Sequence, residues 1–120
     1  MDNPLRSKEE SVTENLFQIV KQFSETIHNG RSISDIIRHA KDEMRELDDE
    51  VLAVKYPTEF TPGKDGVVGE AIDVIACMLD LIVVHSPTTT EHELNAMMLL
   101  KCEKWARRYK DSVDGDRTID

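Results

Sequence analysis

Residues Ala71 to Val84 read Ala-Ile-Asp-Val-Ile-Ala-Cys-Met-Leu-Asp-Leu-Ile-Val-Val, apolar around almost the whole circumference of a helix. A helix of that kind has no face to give to water and belongs at the centre of a bundle, covered on every side. Yet Glu70, Asp73 and Asp80 fall on one side of it at about 100° per residue. Burying a carboxylate is costly unless something offsets its charge. This helix carries no lysine or arginine that could do so.

The rest of the chain is also written in helical periods. Ser11-Val-Thr-Glu14 has the spacing of a capping box and leads into Leu16, Val20, Phe23 and Ile27 at three- and four-residue steps, until Asn29-Gly30 stops the run. A second helix starts near Ser32 or Ser34. It carries Ile33, Ile37, Ala40, Met44, Leu47 and Val51 on one stripe and ends in the Tyr56-Pro57 region. From Pro57 to Gly69, the density of proline and glycine predicts a loop longer than a simple bundle connection. The third helix spans about Val67 to Val84 and stops before Pro87. Thr90-Glu-His-Glu93 then repeats the capping box and starts a fourth helix through Leu94, Met97, Met98 and Trp105. No strand signal, internal repeat or second domain is visible. The expectation is a single all-α four-helix bundle over residues 1–120, with 1–10 and 111–120 as flexible tails.

The second helix places His39, Glu43, Glu46 and Glu50 on one arc, bordering its apolar stripe. Glu43/Glu46 and Glu70/Asp73 are both i, i+3 pairs, so each presents two carboxylates on one helix face, and antiparallel packing would bring all four together. An all-oxygen cluster suits a hard cation, Mg²⁺ with Mn²⁺ as a substitute. The competing reading is ordinary surface charge, but the Glu70/Asp73 pair interrupts an otherwise apolar sequence. A di-iron centre would want Glu-x-x-His on two helices, and the chain has one such motif, Glu25-Thr-Ile-His28. The histidines, His39 included, read as polar boundary residues. Cys77 and Cys102 form no CxxC and read as reduced, buried structural thiols.

Composition narrows the function classes further. With 15 Lys+Arg against 24 Asp+Glu the net charge is -9, which disfavours a phosphate backbone as partner. No apolar run reaches the roughly 18 residues that would span a bilayer. The start, Met1-Asp-Asn-Pro-Leu-Arg6, lacks the apolar core of a signal peptide. The expectation is a cytoplasmic protein without nucleic-acid or membrane partners. On the fourth helix, Lys101, Lys104 and Arg108 continue the sector of Leu94, Met97 and Trp105, turning an apolar stripe into a basic one that could hold phosphate. There is no P-loop, no GxGxxG, and no Ser or Cys nucleophile motif.

Taken in order, Lys41-Asp-Glu43-Met-Arg-Glu46-Leu and Gly69-Glu70-Ala-Ile-Asp73-Val resemble the ExxE...ExxD signature of the all-α nucleoside triphosphate pyrophosphohydrolases, the MazG-like group. Lys101-Cys-Glu-Lys104-Trp-Ala-Arg-Arg108 is similar to the basic end of that family's last helix. The resemblance covers about residues 14 to 110. It implies a MazG-like bundle completed by oligomerisation into a homodimer or homotetramer. The implied reaction is hydrolysis of a (deoxy)nucleoside triphosphate to the monophosphate and pyrophosphate. Carried over position by position, Glu43, Glu46, Glu70 and Asp73 become Mg²⁺ ligands, Glu46 the base that takes the water's proton, and Lys101, Lys104 and Arg108 the phosphate binders. The motif does not specify a base pocket. Asn15, Phe17 and Gln18 on the first helix are its expected wall, with Phe17 as core the competing reading.

Two other readings stay open. The frame is shared with phosphoribosyl-ATP pyrophosphohydrolase. A non-catalytic helical module would instead use the Met97/Met98/Trp105 stripe to bind a partner helix.

Overall fold

The computed structural model describes residues 15–27 and 30–115, with side chains described as far as residue 110. Among these residues the chain has four helices and no strand: α1 (Leu16–Thr26), α2 (Ile33–Lys55), α3 (Gly66–His85) and α4 (Glu91–Gly115). None is long and apolar enough to cross a membrane.

The starts of α1, α2 and α4 are set by a short polar side chain satisfying backbone N–H groups that have no partner within the helix. Asn15 Oδ1 accepts the Gln18 N–H at 3.2 Å ahead of α1, while the Ser11–Glu14 box lies outside the described residues. For α2 the cap is Ser32, whose Oγ accepts the Asp35 N–H at 3.1 Å as the Asp35 carboxylate accepts the Ser32 N–H at 3.0 Å. Thr90 and Glu93 make the same reciprocal pair, so the expected box before α4 is present. The sequence expects a frayed tail from Asp111, but α4 continues to Gly115. Residues 116–120 and 1–10 lie outside the described set.

The contacts separate into two compact units, Met1–Thr88 and Thr89–Asp120. In the first, α3 is the helix against which both α1 and α2 pack. The central position anticipated for it is the one observed. Three cross-helix relationships fix the direction of the α2/α3 pair. Glu50 meets Gly63 just ahead of α3, Glu43 and Glu46 meet Glu70, and His39 meets Cys77. Moving toward the start of α2 moves toward the end of α3, which is antiparallel packing. The core is small, built on Phe17, Ile36, Ala40, Ala53, Cys77 and Val83.

Within the first unit α3 is not fully buried. Val68, Ile72 and Ile75, one stripe of α3 at four- and three-residue steps, remain 77%, 44% and 40% exposed. The second unit is one helix, α4, whose Met97, Met98, Leu99, Leu100, Trp105 and Tyr109 are all exposed. Cys102 is exposed there as well, contrary to the expected burial, because that unit holds no second element to cover it. Cys77 is buried, and both thiols are free.

Candidate metal centre

The antiparallel register of α2 and α3 converges the two acid pairs. Glu43, Glu46 and Glu70 each offer a carboxylate oxygen within 4.8 Å of the others, and Asp65, Glu70 and Asp73 form a second such triad. Glu70 belongs to both. The four acids singled out from spacing therefore meet, and they are joined by Asp65, which spacing did not single out. Asp65 stands at the N-cap position of α3, where aspartate is common for a local reason, so its presence carries no signal of a second role. Here its side chain makes no cap hydrogen bond. Gly69 makes room for it: a Cβ at that position would stand 2.7 Å from the Asp65 Cβ.

Among the described residues no lysine or arginine forms an ion pair with Glu43, Glu46, Asp65, Glu70 or Asp73. Glu43 Oε2 and Glu70 Oε2 are both shut off from solvent and make no hydrogen bond. Desolvation, then a hydrogen bond and charge from Glu46, then the charge of Asp73, raise the Glu43 carboxyl above its ordinary value. For Glu70 the same rise comes from desolvation, followed by the charges of Glu46, Asp73, Asp65 and Glu43. A buried, like-charged, all-oxygen group with orphaned acceptors is what a hard divalent ion relieves, so the donor set fits Mg²⁺ or Mn²⁺.

His39 borders the cluster. Its Nε2 lies 3.0 Å from Glu43 Oε1, one turn along α2, and its Nδ1 lies 3.8 Å from Cys77 Sγ on α3. A thiol donating to Nδ1 leaves the proton on Nε2, pointing at Glu43. The ring then holds one oxygen of Glu43, while the other is the orphaned one.

The remaining acids of the two arcs have other partners. Asp80 pairs with Arg31, from the segment before α2, and accepts the Ser24 hydroxyl at 2.6 Å. That cation comes from outside α3, where a scan of the helix alone could not find it. Glu50 is buried and accepts the Gly63 N–H.

A cavity of about 390 Å³ adjoins Glu43 and Asp73. Ile19, Val20 and Phe23 of α1 and Ile27 just after it form one wall, Ala76 and Cys77 of α3 the other, and Ser24, Arg31 and Asp80 a polar end. Asn15, Phe17 and Gln18, the expected pocket wall, do not line it. Asn15 caps α1 through the Gln18 N–H, and Phe17 is in the core at 5% exposure. Lys101, Lys104 and Arg108 are exposed on α4, in the second unit.

No protein-family model, curated protein or solved structure matches this chain.

Proposed function

We propose that the chain is a metal-dependent pyrophosphohydrolase of the MazG-like group. It converts a (deoxy)nucleoside triphosphate to the monophosphate and pyrophosphate in the cytoplasm. The observation that carries this reading is the convergence of Glu43, Glu46, Glu70 and Asp73 with two buried carboxylate oxygens unpartnered and, among the described residues, no lysine or arginine in an ion pair with the group.

Divalent ions held by these acids would polarise phosphoryl oxygens and offset the repulsion between a polyanionic substrate and a chain of net charge -9. Asp65 joins the four expected ligands on this reading. Glu46 is the exposed member of its triad and the residue assigned to take the proton of the attacking water. His39 holds Glu43 in place, a supporting role typical of the groups around metal ligands. Lys101, Lys104 and Arg108 are assigned to the distal phosphates. A homodimer or homotetramer covers the Val68/Ile72/Ile75 stripe of α3, which the first unit by itself leaves exposed.

The test is direct. The purified chain is incubated with each common ribo- and deoxynucleoside triphosphate plus Mg²⁺, with and without excess chelator, and pyrophosphate and monophosphate are measured. Metal-dependent release of both supports the reading. Orthophosphate alone would point to a different phosphatase chemistry. No product from any nucleotide, with Mn²⁺ and phosphoribosyl-ATP also tried, would favour the interaction-module reading, to which the exposed Met97, Met98 and Trp105 of α4 lend support.

A further inference from the structure

Helix α1 is anchored at two points with a gap between them. At 11 residues it is shorter than the roughly 12–15 that an isolated helix needs to persist in water, so its order depends on what it packs against. Of its residues only Phe17 and Ser24 are buried. Positions 17, 20 and 24 share one face, and Val20, the middle one, lines the cavity. Ile19 and Phe23, and Ile27 just after the helix, line the same space and stay 44%, 63% and 50% exposed. Between its anchors the helix therefore borders open space, where its side chains have few atoms opposite to attract them.

The second anchor is polar and converges on one residue of α3. Asp80 accepts the Ser24 hydroxyl at 2.6 Å and pairs with Arg31, beyond the end of α1. The other terminal nitrogen of Arg31 lies 3.5 Å from Ser24 Oγ, so the three side chains close on one another. The closure has a defect. The Arg31 Nε–H is shut off from solvent and has no acceptor among the described residues. A buried donor without a partner is unfavourable, and water would satisfy it as soon as the three side chains parted. The same water would hydrate Asp80 and Arg31, offsetting part of the ion pair that parting them loses.

We infer that α1 is a hinged wall of the cavity, pivoting at Phe17 and latched to α3 through Asp80. Releasing the latch widens the space of about 390 Å³ beside Glu43 and Asp73, while α2 and α3 keep the register that brings the acids together. None of the clustered acids is on α1, so the movement does not depend on what the cluster holds. The inference stands apart from the proposed reaction.

Two measurements on the full chain test it: hydrogen exchange, followed by mass spectrometry on peptides from α1, α2 and α3, and alkylation of Cys77, which is buried and lines the cavity. Cys102→Ser removes the exposed second thiol, so that labelling reports Cys77 alone. Residues 20–27 should exchange well before the middle of α3. Ser24→Ala should speed both their exchange and the alkylation of Cys77 by a common factor of roughly 10 to 100, the range set by one hydrogen bond to a charged group, with α2 and the middle of α3 unchanged. Asp80→Asn, which removes the charge that holds Arg31 and keeps an acceptor for Ser24, should act in the same direction. Exchange of α1 and α3 together in the unaltered chain overturns the inference without any variant having to fold. So does early exchange confined to residues 16–19, which is ordinary fraying of a helix start. A Ser24→Ala protein in which α2 and α3 loosen as much as α1 overturns it too, because the contact then holds the whole unit. The same holds if α1 loosens and Cys77 alkylation stays slow, because the movement then leaves the cavity as it was.

Discussion

The Glu50 carboxylate, buried on α2, accepts the backbone N–H of Gly63 at 2.5 Å and so ties the segment ahead of α3 to the last turns of α2. That segment ends at Asp65, one of the acids that meet Glu70. A side chain at position 63 is incompatible with the tie, because its Cβ would stand 2.5 Å from Glu50 Oε2. Gly63→Ala should therefore displace the Glu50 carboxylate and lower stability by about 1.5–3 kcal/mol, the range for a hydrogen bond to a charged group. Urea unfolding measures this, and an unchanged midpoint would show that the contact contributes nothing.

Removing one negative charge from the cluster should have opposite effects with and without metal. In chelator, Glu70→Gln should melt at a higher temperature than the native chain, because the desolvated, like-charged group is relieved. With Mg²⁺ the order should reverse. The native chain would gain about 2.7 kcal/mol at a hundred times the dissociation constant, and the variant little or nothing. An equal Mg²⁺ response in the two proteins would remove Glu70 from the metal site.

The same two carboxyls set a pH dependence. Because folding raises the Glu43 and Glu70 values above the ordinary 4.5, their protonated forms are favoured in the folded chain. Their stabilising contribution is complete below that ordinary value and is lost as pH rises through the raised ones. Asp35 and Glu93 run the other way: cap hydrogen bonds from Ser32 and Thr90 hold them below their ordinary values. Their contribution is present above the ordinary carboxylate range and is lost in stronger acid. In chelator the melting temperature should fall as pH rises above the ordinary carboxylate range, and saturating Mg²⁺ should flatten or invert that slope. Melting curves that rise with pH in chelator would contradict the assignment.

Ser32→Ala offers a control away from the acids. Losing the Ser32 half of the reciprocal cap on α2 should cost about 1 kcal/mol, seen in the thermal midpoint, with the Mg²⁺ response unchanged. A lost Mg²⁺ response would show that the start of α2 and the cluster are coupled.

Helix content was legible because it is written locally. The apolar period of residues 33–51, the Thr90/Glu93 box and the largely apolar run of α3 need only near neighbours to be read, and the helices appear where those signals place them. The two i, i+3 acid pairs were legible for the same reason: one helical turn puts Glu43 beside Glu46 and Glu70 beside Asp73 before any tertiary contact exists.

What depended on packing could not be read that way. Asp65 looks like an ordinary cap until Gly69 lets its side chain come close and the α2/α3 register brings Glu70 opposite Glu43. Asp80 looks like a third uncompensated acid until Arg31, 49 residues away in the chain, reaches it. Phe17 and Phe23 lie on the same short helix, yet the first is core and the second lines the cavity. A residue's own sequence neighbourhood determines its secondary structure and the helix face it occupies. Which group stands across from that face, and whether a charge there is paired or left over, is decided only when distant helices come into register.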